Sequence, residues 1–107
     1  MIIVSKYIVP KGYFGLTLFP FIVLKRKELL FNKILVNHEK IHLRQQLELL
    51  IIPFYLLYFI EFIIRYAKLK DWQQAYRSIS FEREAYINEQ DSKFLKKRPF
   101  WNFINYF

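Results

Sequence analysis

The sequence predicts an α+β fold: a short antiparallel sheet at the N-terminus, then three to four helices. Two observations carry this. Residues 2–9 and 16–24 are β-branched and aromatic between proline and glycine punctuation, which suits strands. From Lys33 onward, apolar residues recur at helical spacing, with capping residues ahead of each run. A chain of 107 residues without a linker or repeat reads as one domain, 1–107.

In the first strand, Ile2 to Val9, the branched side chains favour extended backbone. Pro10-Lys11-Gly12 ends it. Leu16 to Leu24 reads as a second strand. Pro20 cannot donate to a ladder, so this strand belongs at an edge or carries a bulge.

Asn32 is a natural N-cap for a helix running from Lys33 to Ile52. Ile34, His38, Ile41, His42, Gln45, Leu49 and Ile52 share its inward face. Pro53 either kinks this helix or opens the next. Phe54 to Ala67 is apolar nearly all round, so this helix must be enclosed by protein, lie on lipid or meet a partner. Its longest charge-free run, Leu49 to Ile60, falls short of the roughly 20 residues a membrane span requires. An interfacial helix or full burial fits better. Glu61 and Arg65 are placed to pair one turn apart.

Asp71 and Gln74 open a helix over Trp72 to Arg77, and Ser78-Ile79-Ser80 interrupts it. Ser80 is suited to cap a further helix from Phe81 to about Lys97, with Glu82 and Glu84 in its first turn, where the helix dipole favours anions. Pro99 then begins an aromatic tail, which is expected to dock on the core or on a membrane surface.

Composition limits the chemistry. Cysteine is absent, which excludes disulfides and thiolate metal sites. The formal charge is +8, with basic clusters at Lys25-Arg26-Lys27 and Lys96-Lys97-Arg98. Such clusters face solvent, anionic lipid or an acidic partner. Nucleic acid ranks last, because no motif of that class accompanies the charge. The N-terminus lacks the pattern of a secretory signal. The expected location is therefore the cytoplasm or the inner face of a membrane.

Both histidines of the chain lie in His38-Glu39-Lys40-Ile41-His42, an HExxH sequence. Four-residue spacing sets two imidazoles on one helix face, where they can grip one ion, and Zn²⁺ suits such nitrogen ligands. Glu39 is then placed as a general base toward water. The competing reading is a pair of hydrogen-bonded histidines inside a helix bundle. A zinc site needs a third protein ligand, and Phe81-Glu82-Arg83-Glu84-Ala85-Tyr86 offers a downstream acid.

Together the two stretches resemble the gluzincin metallopeptidases, nearest to small membrane-linked relatives of the M48 type and to short bacterial HExxH proteins of unassigned function. The resemblance implies a minimal zincin-like domain with one Zn²⁺ on His38, His42 and Glu82, and with Glu39 as catalytic base. The implied substrate is a peptide or protein, lying along the strand that precedes the HExxH helix. The family places an aspartate after the alanine, to support a ligating histidine. Here that position is Tyr86. Glu61 or Glu89 can take the supporting role, and Glu89 can itself be a ligand. Tyr76, Arg77, Arg83 and Tyr86 are the candidate oxyanion donors. The second reading is a non-enzymatic, membrane-associating or homo-oligomerising helical protein whose metal is structural or absent.

Overall fold

A computed structural model of the chain describes residues 1–107. Its order is strand β1 (Ile2–Val4), β2 (Gly15–Leu18), β3 (Phe21–Leu24), then helices α1 (Lys33–Leu49), α2 (Ile51–Leu69), α3 (Trp72–Ser78), α4 (Ser80–Asn88) and α5 (Phe94–Lys97). Single 3₁₀ turns cover Lys27–Phe31 and Asn102–Tyr106. The α+β class and the N-terminal sheet are as expected.

The sheet is mixed rather than antiparallel, with strand order β1-β3-β2. Leu16 to Leu24 is a hairpin and not one strand. Phe19 and Pro20 form its turn, where the missing N–H of proline costs no ladder bond. Leu16 pairs with Val23 and Leu18 with Phe21. β3 therefore runs back through the middle of the sheet, and β1 joins it in parallel, Ile3 opposite Val23. β1 stops at Val4 because its partner stops: Ser5 N–H donates to Leu24 O, and no strand continues beyond. β2 is left as an edge.

Asn32 caps α1 as expected, accepting from Leu35 N–H at 3.1 Å. The helix ends at Leu49, not Ile52. A proline ring clashes with the carbonyl four residues back, and for Pro53 that residue is Leu49. The chain turns at Leu50, in a left-handed φ of 68°, and α2 leaves at 112° to α1. Pro53 falls in the first turn of α2, where an N–H would have no helical partner.

α2 is not enclosed by the fold. Phe54 and Glu61 are buried, whereas Ile52, Leu56, Phe59, Ile60 and Ile63 are exposed. No single helix is long and apolar enough to cross a membrane. Glu61 does not pair with Arg65. It turns inward and accepts from Ser80 N–H at 2.9 Å and Ser80 Oγ–H at 2.6 Å. Ser80 is therefore held from outside as the first residue of α4 and does not cap it. Asp71 does cap α3, accepting from Gln74 N–H at 3.1 Å.

The expected helix from Phe81 to Lys97 breaks after Asn88. The Asn37 side chain donates to the carbonyls of Glu89 (2.8 Å) and Asp91 (3.0 Å), satisfying backbone that has left the helix. The tail docks in part: Phe103 packs on Phe81 at 4.6 Å between centroids, and Phe100 stays exposed.

The apolar core centres on Phe54, Ile79, Phe81 and Phe103. Beside it runs a buried ionic network. Arg98 was expected on a basic surface cluster, yet its side chain is fully covered and pairs with Glu84 and with Glu48 (2.7 Å). Glu84 also accepts from Asn102 Nδ2 at 2.9 Å and Gln45 Nε2 at 2.8 Å. Removing one partner of a buried pair strands the other charge, at about 3–5 kcal/mol. Arg98→Met is therefore expected to lower unfolding free energy in urea by about that amount. Asn32→Ala, which removes only a cap, should cost about 1 kcal/mol in the same assay.

Candidate metal centre

α1 and α4 pack side by side and bring Glu82 to His38 and His42, which lie 44 and 40 positions away in the chain. Glu82 Oε1 lies 3.3 Å from His38 Nε2 and 3.1 Å from His42 Nε2, and the two Nε2 atoms are 3.2 Å apart. All three residues are buried, and this group could hold a metal ion. The three sequence-predicted ligands are thus placed in one cluster.

The outer atoms of each ligand are tied down. Gln45 Nε2 donates to Phe81 O (3.1 Å) and Glu84 Oε1, which leaves its Oε1 to accept from His42 Nδ1–H at 2.8 Å. Glu89 Oε2 accepts from His38 Nδ1–H at 3.0 Å. Each ring therefore carries a proton on Nδ1 and turns Nε2 to the shared point. Tyr58 donates to Glu82 Oε2 at 2.6 Å, so only Oε1 is offered to that point.

Three acceptors this close repel unless a cation or a proton lies between them. The titration of His42 reflects this. Burial alone lowers its pKa, but the Glu82 charge and hydrogen bond outweigh burial, with help from Glu39 and Gln45, and raise it to about 9. For Glu82, burial acts upward, and the two imidazoles prevail, holding the carboxyl well below its usual range. Tyr58 is pushed far up by burial and the Glu82 charge, so it remains a donor.

A cavity of about 270 Å³ opens beside the cluster, lined by Gly15, Leu16 and Thr17 of β2, by Glu39, His42 and Glu82, and by aromatic residues of α2 and α3. Glu39 is buried in its wall, where Thr17 Oγ–H lies within reach of Glu39 Oε1 (2.7 Å) and Glu39 O (3.0 Å). Phe14 O accepts from Lys25 N–H, so ladder alternation turns the backbone groups of Gly15 and Thr17 away from β3. Gln46 and Tyr55 take the Thr17 carbonyl. The outward N–H and C=O of Gly15 are left along the cavity side of the edge.

Of the alternative acids, Glu89 supports His38 and does not join the three-atom cluster, while Glu61 is used by Ser80. Of the candidate oxyanion donors, Tyr76 lines the cavity. Arg77 stacks on Tyr86 at 4.0 Å, Tyr86 packs edge-on against His38, and exposed Arg83 donates to Tyr106 O. Sequence reasoning missed the roles of Gln45, Tyr58 and Thr17. For Gln45 the helical spacing gives its inward face on α1 but not its partners. Tyr58 carried one signal, its position one turn beyond Phe54 on α2.

Comparison with family models, curated proteins and solved structures finds no match to this chain.

Two outcomes are expected. In metal-free protein, the raised His42 pKa contributes stability that is full below pH 6.5 and lost as pH rises through about 9. The lowered Glu82 pKa contributes stability that is full above pH 4.5 and lost in acid. Thermal unfolding of the metal-free chain should therefore be most resistant between these limits, declining on both sides. Tyr58→Phe frees Glu82 Oε2, and such supporting bonds are worth about 10–100-fold in metal affinity. Competition with a chromophoric chelator should show that loss.

Proposed function

We propose that this chain is a zinc-dependent metallopeptidase-like protein that hydrolyses peptide bonds, with Glu39 as general base. The observation that carries the reading is the convergence of His38, His42 and Glu82, two of which, His42 and Glu82, line one cavity with Glu39. The separations support zinc. Zn–N and Zn–O distances of about 2.0–2.1 Å give tetrahedral edges of about 3.3–3.4 Å, against the 3.1–3.3 Å between these atoms. Two imidazoles and one carboxylate also form the donor set of a catalytic zinc site, with a fourth position open.

Zinc, when bound, supplies a Lewis acid that acidifies water and polarises a carbonyl oxygen. The chain's own residues do the rest. His38 and His42 bind through Nε2, held by Glu89 and Gln45. Glu39 takes the proton of the attacking water and passes it to the leaving amine. Thr17 fixes the Glu39 carboxylate by its hydroxyl. An extended peptide joins the free edge of β2, using the Gly15 backbone groups that face away from β3. The aromatic wall of the cavity, including Tyr55, Phe62 and Tyr76, receives an apolar side chain of the substrate.

A structural metal without hydrolysis is the second reading, and the burial of all three ligands favours it. One set of variants separates the two. Wild type and Glu39→Gln are each expected to carry one zinc per chain by elemental analysis, and His42→Ala to carry none. Glu39→Gln should lose peptide hydrolysis by about 10²-fold or more. Zinc in wild type with no cleavage of a mixed peptide library leaves the structural metal. No zinc in wild type overturns the peptidase and the structural metal alike and leaves the non-enzymatic protein without a metal.

A further inference from the structure

α2 is amphipathic in the reverse sense of an ordinary surface helix. Its mid-helix charges, Glu61 and Arg65, turn toward the protein and are buried and half-buried. Every exposed residue from Ile52 to Ala67 is uncharged. Ile52 is 73%, Leu56 59%, Phe59 63% and Ile63 51% exposed. This bare face extends about 24 Å at helical rise, far more apolar surface than scattered exposed side chains account for.

Aromatic residues and lysines stand at both ends. At the start of α2, exposed Phe100 and Trp101 stack on one another, and Trp101 Nε1–H reaches the carbonyl of Glu48 at 3.5 Å. Lys96 and Lys97 of α5 precede them and are exposed. At the far end, Trp72 packs against Phe62 and Tyr66, beside exposed Lys68 and Lys70. Tryptophan and tyrosine settle at the headgroup level of a bilayer, where one part of the ring is dry and another wet. The chain's charge of +8 is complementary to an anionic lipid surface and opposes the approach of a second copy.

We infer that the outer face of α2 is a docking surface for an anionic membrane. The helix lies in the plane of the interface, its isoleucines and leucines among the upper acyl chains. Trp101 and Trp72 sit at the headgroups, and the flanking lysines contact lipid phosphates. No single helix here is suited to cross the bilayer. The inference does not depend on the metal reading, because none of the lipid-facing isoleucines and leucines lines the cavity beside the ligand cluster.

Co-sedimentation of the full chain with vesicles tests it. The expected result is binding to phosphatidylcholine–phosphatidylglycerol vesicles, with little binding to phosphatidylcholine alone and a blue shift of tryptophan emission. Ile60→Asp with Ile63→Asp should lower partitioning by about tenfold or more. Lys68→Gln with Lys70→Gln, which leaves the apolar face intact, should lower it by about tenfold at low salt. Far-UV circular dichroism reports folding of each variant, and the lysine pair carries the test if the aspartate pair unfolds. The inference is overturned if the wild-type chain stays in the supernatant with both vesicle types. It is equally overturned if the chain forms a dimer in buffer that the aspartate pair dissolves, which assigns the face to a second copy.

Discussion

Two imidazole nitrogens and one carboxylate oxygen, brought together from two helices, are aimed at a single point. A fold does not hold three acceptors within 3.3 Å of one another without a compensating positive charge. The surrounding structure keeps them there. Gln45, Glu89 and Tyr58 each occupy the second polar atom of one ligand and leave the first no other direction. Gln45 is itself fixed by Glu84, which Arg98 neutralises. A cation from near the C-terminus thus sets the tautomer of a histidine in the first long helix. That continuity accounts for a charged network being buried in so small a domain.

The same geometry explains the placement of α2. The corner at Leu50 turns the helix away from α1, so that Tyr58 reaches Glu82 and Glu61 reaches Ser80. Both contacts position α4, and α4 carries the third ligand. Spending the inner face of α2 on these polar duties leaves its remaining apolar residues outside. The exposed face and the ligand cluster are two results of one sequence choice: polar groups on the inner side of an otherwise apolar helix.

Much of this was legible in the chain. The HExxH spacing put both histidines on one helical face because helical periodicity is local. Asn32 and Asp71 were readable as caps for the same reason. Glu82 was suggested by a resemblance, and its arrival at the histidines depends on packing between distant helices, which periodicity does not encode. The hairpin within 16–24 was misread as one strand because an uninterrupted apolar run does not reveal where it folds back. Pro20 marks that turn, although a proline inside an apolar run reads equally as an edge signal. Arg98 looked like surface charge since its partners, Glu84 and Glu48, lie 14 and 50 positions away. Likewise, Glu61 had a local partner in Arg65 and found a better one across the fold.

Gly15 bears on one further property. A Cβ there would lie 3.3 Å from the Glu39 carboxyl group, tighter than side chains ordinarily approach. The edge strand and the HExxH helix therefore meet at the one residue with nothing to interpose. A slip of β2 by one position would bring Phe14 or Leu16 to that spot and pry strand and helix apart. Gly15 works as a depth stop: it locks the hairpin's register to the helix and sets the width of the groove between them.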